Sequence, residues 1–294
     1  MADAESSVGF LLQQAISELQ LAGIEEARTD ATQLLCSCLC VSRTTLYLSA
    51  AALVPEDRRH RFAELLLRRK QREPLAYILG EREFWSLNFV VTPDVLIPRP
   101  ETEFLLESVF AKRNRSILNP RVLDMCCGSG VIAVVLARQL NQQVTAVDCS
   151  RAALAVAREN CLRHAVDSRV SLLHADLFSA FQKSKSFSLI VSNPPYIRYA
   201  DIVSVLEPEV SRHEPLIALD GGASGLEVIE KIINALGEML ACGGDFFMEI
   251  GADQREPVAS LFNDHGGDDI YEFVTCYADY SGRDRIIHAR RRKH

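Results

Sequence analysis

The chain has 294 residues, 48% of them hydrophobic and 24% charged, with a formal net charge of −7. That length supports roughly two domains, and the balance is that of an ordinary globular protein. No apolar run approaches the ~18 residues that a membrane-spanning helix needs, and the acidic balance weighs against gripping a nucleic-acid backbone.

The opening segment Met1–Ser7 lacks the basic and apolar regions of a secretion signal. Nine cysteines without such a signal argue for reduced thiols. A cytoplasmic protein is the default expectation. From about Ser6 to Arg72 apolar residues recur at helical spacing. One helix is expected over Val8–Leu21, stopping at Gly23. Another is expected to start near Asp30, read as a cap, and to run through Leu34, Leu35 and Leu39. A third follows Pro55, with Phe62, Leu65 and Leu66 inward and Arg58, Arg59, Arg61, Arg68 and Arg69 outward. These make a small helical bundle.

Between Glu83 and Pro98 the pattern becomes strand-like, broken by Thr92-Pro93-Asp94, and reads as a hairpin joining two domains. From about Pro100, strands alternate with helices. Strands are expected at Arg121–Met125, Gln143–Asp148, Val170–Asp176, Phe187–Ser192 and Asp245–Ile250, with helices at Gly130–Leu140, Arg151–His164 and Leu226–Leu240. Such alternation predicts an α/β fold whose parallel sheet is covered on both faces. The six residues between Phe273–Ala278 and Arg285–Arg290 are too few for a helical crossover, so these last strands should pair antiparallel.

The segment Asp124-Met125-Cys126-Cys127-Gly128-Ser129-Gly130 closes an apolar strand with a small-residue turn that leads into a helix. Glycines let a backbone approach a ligand closely, and a helix N-terminus favours a negative group. Asp148 ends the next strand, where an acid can accept from ribose hydroxyls. Asp176 ends the third, within reach of an adenine amine. The set suits an adenosine with a methionine tail better than a dinucleotide, because only one G-x-G is present.

Directly after the strand Phe187–Ser192 stands Asn193-Pro194-Pro195-Tyr196. An amide or aniline-like nitrogen is a poor nucleophile because its lone pair is delocalised. The Asn193 side-chain oxygen and the Pro194 carbonyl can each accept one N–H of such an NH₂ group, aiming the lone pair at an electrophilic methyl. Pro194 and Pro195 stiffen the loop, and Tyr196 offers a flat face to a planar target. This predicts a methyltransferase that needs no metal.

The chain resembles the HemK/PrmC family, which methylates the glutamine of the Gly-Gly-Gln motif in class-I peptide-chain release factors. The resemblance spans nearly the whole sequence. It includes Arg72–Gly80, Pro98-Arg99-Pro100-Glu101-Thr102-Glu103, the glycine turn, Asn193–Tyr196 and Ala218–Gly222 with Gly225-Leu226. It implies a Rossmann-like S-adenosylmethionine methyltransferase domain over residues 99–294. Ahead of it would stand a hairpin linker over 81–98 and a helical substrate-docking domain over 1–80. It further implies that Asp124, the turn Cys126–Gly130, Asp148 and Asn193 hold S-adenosyl-L-methionine, that Leu177 packs on the adenine beside Asp176, and that Asn193 with Pro194 holds the glutamine, bordered by Pro195 and Tyr196. Where the family usually carries Gly-Thr, this chain has Cys126-Cys127.

Two rivals share the Asn-Pro-Pro-Tyr logic. One methylates a ribosomal-protein glutamine, but its relatives differ over the stretch matching Pro98–Glu103. The other methylates an exocyclic amine of a nucleic-acid base, which requires base capture; no target-recognition domain is evident. A non-catalytic binding protein with a vestigial cofactor pocket is disfavoured by the intact Asn193–Tyr196. The expected partner is a class-I release factor, with no membrane, no direct nucleic-acid binding and a monomeric enzyme. Cys36, Cys38 and Cys40 read as buried apolar cysteines rather than metal ligands. Between Glu56 and Glu73, seven Lys/Arg stand against four acids. The plain reading of that excess is a solvated helix face; the functional one is a docking surface for the partner or for nearby RNA that includes Arg68 and Arg69.

Overall fold

The computed structural model describes residues 6–117, 120–184 and 186–293. The chain divides into two compact units. One runs to Gly80 and takes in Glu207–His213; the other comprises Glu81–Leu206 and Glu214–His294.

The first unit is helical: α1 (Val8–Leu21), α2 (Ala27–Leu39), α3 (Arg43–Leu48), α4 (Glu56–Lys70) and α5 (Leu75–Leu79). Ser7 caps α1 by accepting from the Phe10 N–H. Its apolar face, Val8, Leu12, Ala15, Ile16 and Leu19, is buried against Leu34, Leu35, Phe62 and Leu65. Three expectations need correction. Asp30 does not cap α2, which begins three residues earlier at Ala27. Its buried carboxylate instead accepts from the Arg69 Nε at 2.6 Å. Arg69 therefore points inward, where it also pairs with Glu209 at 2.9 Å, while Arg68 closes on Glu73. A docking face cannot include Arg69, because its charge is neutralised inside the bundle. Of the three neighbouring cysteines only Cys38 is buried; Cys36 is half-buried, and Cys40 is exposed in a left-handed C-cap.

The second unit opens with a hairpin of β1 (Glu81–Phe84) and β2 (Leu87–Val90). Its turn is Trp85-Ser86, both at positive φ, as a two-residue hairpin with the right twist requires. Thr92-Pro93-Asp94 forms a separate turn, and Val95 and Ile97 are buried without strand pairing. Then follow α6 (Pro100–Lys112), β3 (Val122–Met125), α7 (Val131–Leu140), β4 (Val144–Asp148), α8 (Arg151–Arg163), β5 (Val170–His174) and β6 (Phe187–Ser192). After the short helices α9 (Tyr199–Ser204) and, in the first unit, α10 (Pro208–His213) come α11 (Glu227–Met239), β7 (Leu240–Glu249), α12 (Arg255–Asp264), α13 (Gly267–Ile270), β8 (Tyr271–Ala278) and β9 (Asp284–Arg291).

The seven strands lie in the order β5-β4-β3-β6-β7-β9-β8. The first five are parallel, and β9 joins β7 and β8 antiparallel. Alternate strand residues feed two cores. Val122, Ala146, Leu189 and Phe247 meet Leu105, Val134 and Ala157 on one face. Leu123, Val147, Ile190 and Phe246 meet Ile229, Ile233 and Phe262 on the other. Strand order reverses between β3 and β6, so their carboxyl ends splay into a crevice where α/β sheets bind ligands.

Candidate active site

A cavity of about 690 Å³ lies at that reversal point. Its walls bring together Cys126, Cys127, Gly128 and Ser129 after β3, Asp148 at the end of β4, Asp176 and Leu177 beyond β5, and Asn193 and Pro195 after β6. Asp94, Val95, Leu96 and Pro98 contribute a further wall that no local pattern announces. Asp124, Gly130, Pro194 and Tyr196 stand outside the lining.

The first turn is held by backbone bonds. Cys127 N–H donates to the Val147 carbonyl at 2.9 Å, and Gly130 N–H to the Cys127 carbonyl at 2.7 Å. Cys126, Gly128 and Gly130 all take positive φ. The two glycines differ in purpose. A Cβ on Gly128 would meet nothing within 4 Å, so that backbone faces open space on the cavity wall. A Cβ on Gly130 would sit 3.0 Å from the Cβ of Ala157, so Gly130 serves the close approach of α7 and α8.

Asp148 is half-buried, and its two oxygens accept from the Gly128 and Ser150 N–H groups, each at 2.8 Å. Burial outweighs those bonds and raises its carboxyl. Each oxygen keeps a lone pair for a ligand hydroxyl. Asp124 is fully buried. One oxygen accepts from the Ala133 N–H at 2.9 Å; the other has no partner. Burial pushes its carboxyl up to about 8, with the charge of Asp148 adding to the shift. Asp176 is exposed beyond the end of β5, which stops at His174.

The second turn, Asn193–Tyr196, is held by side chains from distant segments. Asn193 Nδ2 donates to Thr102 Oγ1 at 3.0 Å. Thr102 donates to Glu249 Oε2 at 2.8 Å, and the Tyr196 hydroxyl donates to Glu249 Oε1 at 3.0 Å. Glu249 is wholly buried at the end of β7, and that burial raises its carboxyl. Tyr196 is thereby tied to a carboxylate, and its hydroxyl pKa is raised by burial and then by Glu249. Gln254 Nε2 donates to the carbonyls of Tyr196 and Gly225 at 2.9 and 3.0 Å. Gly225 must be glycine, since a Cβ there would lie 2.6 Å from the Tyr196 carbonyl oxygen. The stretch Ala218–Gly225 thus braces the second turn, with Gly221 N–H donating to the Ile197 carbonyl at 2.8 Å.

The motif Pro98–Glu103 acquires separate tasks for its members. Pro98 lines the cavity, Arg99 pairs with buried Glu214, Thr102 holds Asn193, and Glu103 accepts from the Trp85 N–H at 2.6 Å. Asn160 on α8 was likewise not foreseen. Wholly buried, it exchanges hydrogen bonds with both backbone groups of Val90 and donates to the Ser129 carbonyl at 2.9 Å. It fastens the hairpin to the first turn.

Residues 11–80 match the PrmC N-terminal domain profile, and residues 100–208 match the methyltransferase small domain profile. A release factor glutamine methyltransferase of Clostridium botulinum is 37% identical over 96% of this chain and 98% of its own length. One from Geobacter sulfurreducens is 41% identical over 91% of both chains. The chain belongs to the release factor glutamine methyltransferase family. Its fold is shared with a solved methyltransferase from Pyrococcus furiosus, which superposes with a TM-score of 0.51 at 18% identity, over 79% of this chain and 98% of the other. Among the described residues no helix is long and apolar enough to cross a membrane.

Proposed function

We propose that this protein transfers a methyl group from S-adenosylmethionine to the side-chain amide nitrogen of the glutamine in the Gly-Gly-Gln motif of class-I peptide-chain release factors. The observation that carries the reading is the Asn193 amide on the cavity wall, with its nitrogen committed to Thr102. Among the described residues neither Asn193 Oδ1 nor the Pro194 carbonyl has a donor, which leaves two acceptors for one NH₂ group.

The cavity suits the cofactor. Asp148 and Asp176 offer carboxylate oxygens to ribose and adenine donors, and Leu177, Val147 and Ile132 offer apolar wall to a purine. The open face of Gly128 admits a close-lying group, and the unpartnered oxygen of Asp124 favours positive charge nearby. Bound there, S-adenosylmethionine supplies an electrophilic methyl on a sulfonium sulfur. Asn193 Oδ1 and the Pro194 carbonyl each accept one N–H of the glutamine amide, draw its nitrogen out of conjugation, and stabilise the positive charge that develops on it. No strong base is required, because that nitrogen becomes acidic on alkylation and loses its proton late. The helical unit, whose residues 11–80 match the PrmC N-terminal domain, is assigned to docking the partner. The working form is taken to be a cytoplasmic monomer.

The test is intact-mass and peptide mapping of a purified class-I release factor incubated with this protein and S-adenosylmethionine. One added methyl on the Gly-Gly-Gln glutamine, absent with Asn193→Ala, is the expected result. An unmodified factor beside intact cofactor binding would overturn the assignment in favour of a ribosomal-protein glutamine or a nucleic-acid amine.

A further inference from the structure

An amide side chain is nearly symmetric in shape, so packing alone scarcely decides which end of Asn193 faces the cavity. Hydrogen bonding does. Glu249 is wholly buried and its carboxylate, when ionised, can only accept. It takes the single proton of Thr102 at 2.8 Å and that of Tyr196 at 3.0 Å. With its proton spent, Thr102 Oγ1 presents only lone pairs towards Asn193, and only the N–H end of the amide can meet them, at 3.0 Å.

We infer that Glu249 and Thr102 are positioning residues that fix the Asn193 amide with its oxygen towards the substrate. The inference rests on the proposed role of Asn193 as an acceptor for the glutamine NH₂. Reversing the amide would oppose lone pairs at Thr102 and set an N–H against the substrate N–H, removing an acceptor where charge develops. The carboxylate thus acts on the reaction through one hydroxyl and one amide, without touching the substrate.

The device has a protonation state. Burial favours neutral Glu249, while the hydroxyls of Thr102 and Tyr196 favour the ion, as does Arg285 of β9; Glu101 of α6 opposes it. A neutral Glu249 can donate to Thr102 Oγ1. Thr102 is then free to donate to Asn193 Oδ1, and the amide reverses. Activity should therefore fall on the acid side as Glu249 takes up its proton.

Two measurements test this on the full chain. In turnover, Thr102→Val should lower kcat about 30-fold, as the loss of orientation implies, with cofactor Kd unchanged, whereas Thr102→Ser should restore most of it. Glu249→Gln should lower kcat and abolish the acid limb of its pH profile. In ¹⁵N NMR of the ligand-free protein, the Asn193 side-chain NH₂ signal, assigned with Asn193→Ala, should move with acid. That movement should vanish in Glu249→Gln, and the signal should be displaced in Thr102→Val but not in Thr102→Ser. An Asn193 signal indifferent to both residues would overturn the inference, as would a Thr102→Ser variant no better than Thr102→Val. If the coupling appears by NMR but the wild type leaves release factor unmodified, the functional assignment fails and the positioning inference stands.

Discussion

Two turns meet at the carboxyl ends of adjacent strands, and they are built in opposite ways. The turn after β3, Cys126–Gly130, is fixed through its own backbone groups, bonded to one another, to β4 and to the side chains of Asp148 and Asn160. Its wall is small side chains and exposed backbone. The turn after β6, Asn193–Tyr196, is held by Thr102, Glu249 and Gln254, each more than fifty residues away along the chain. The first turn has to shape a space; the second has to aim two oxygen atoms. Shape can be supplied by local backbone conformation, whereas aim requires a rotamer fixed from outside.

The contrast predicts that damage to the two turns separates binding from chemistry. Asn193→Ala should reduce kcat about 1000-fold, the scale lost when one charge-stabilising group is removed, with cofactor Kd within threefold or so of wild type by calorimetry. Gly128→Val should do the reverse. Its side chain enters the open face of the cavity, and cofactor Kd should rise about 100-fold, close to 3 kcal/mol. A variant at either turn that lost both properties in proportion would remove the distinction.

The two glycines sharpen it within one turn. Gly130→Ala adds a Cβ at 3.0 Å from Ala157 and at positive φ. The expected loss is roughly 1–3 kcal/mol of stability, seen in denaturant melts, with the cofactor saturating the folded fraction normally. Gly128 and Gly130 look alike in the sequence; only the neighbour Ala157 tells them apart.

That asymmetry accounts for what could be read from the residues alone. The helix Val8–Leu21, the strand Phe187–Ser192 and both turns were legible because each is a local pattern of period, cap or small-residue composition. The supports of the second turn were not. Thr102 sits in a motif singled out by resemblance but given no task, and Glu249 ends an apolar strand, Phe246-Phe247-Met248-Glu249, where one carboxylate among buried residues was the available signal. Asn160 carried no signal beyond being polar on the buried face of α8. The misreadings in the first unit have the same origin. Asp30 and Arg69 look like a cap and a solvated cation until the fold brings them 2.6 Å apart across thirty-nine residues.

Asp124 extends the comparison to charge. Its carboxyl, raised to about 8 by burial, is largely neutral at pH 7 in the ligand-free chain. A cationic ligand in the cavity should return it to the ion and release a proton. Cofactor affinity should therefore strengthen between pH 6 and 8, by at most about tenfold per unit, and calorimetry in buffers of different ionisation heat should count the proton. Asp124→Asn should flatten that dependence. The sign for stability is opposite. The folded carboxyl holds its proton more tightly than the unfolded one, so the ligand-free chain should lose stability as pH rises from the ordinary carboxylate range towards 8. Asp124→Asn should remove this loss as well, leaving a chain that melts higher at pH 8 but binds cofactor less well.

The smallest effect belongs to Cys126, and it asks whether the first turn is held through its backbone groups or also by the packing of its own side chains. Cys126 takes a φ of 63°, a conformation that strains a side chain bearing a Cβ. If the turn needs only backbone, Cys126→Gly should relieve that strain and gain up to about 1 kcal/mol, less the entropy that glycine recovers on unfolding. Cofactor Kd should stay near the wild-type value. A loss of stability in denaturant melts would mean instead that the half-buried Cys126 side chain, which packs against the core that includes Met125, contributes more than its backbone costs. The first turn would then depend on the packing of its own side chains as well as on the bonds made by its backbone.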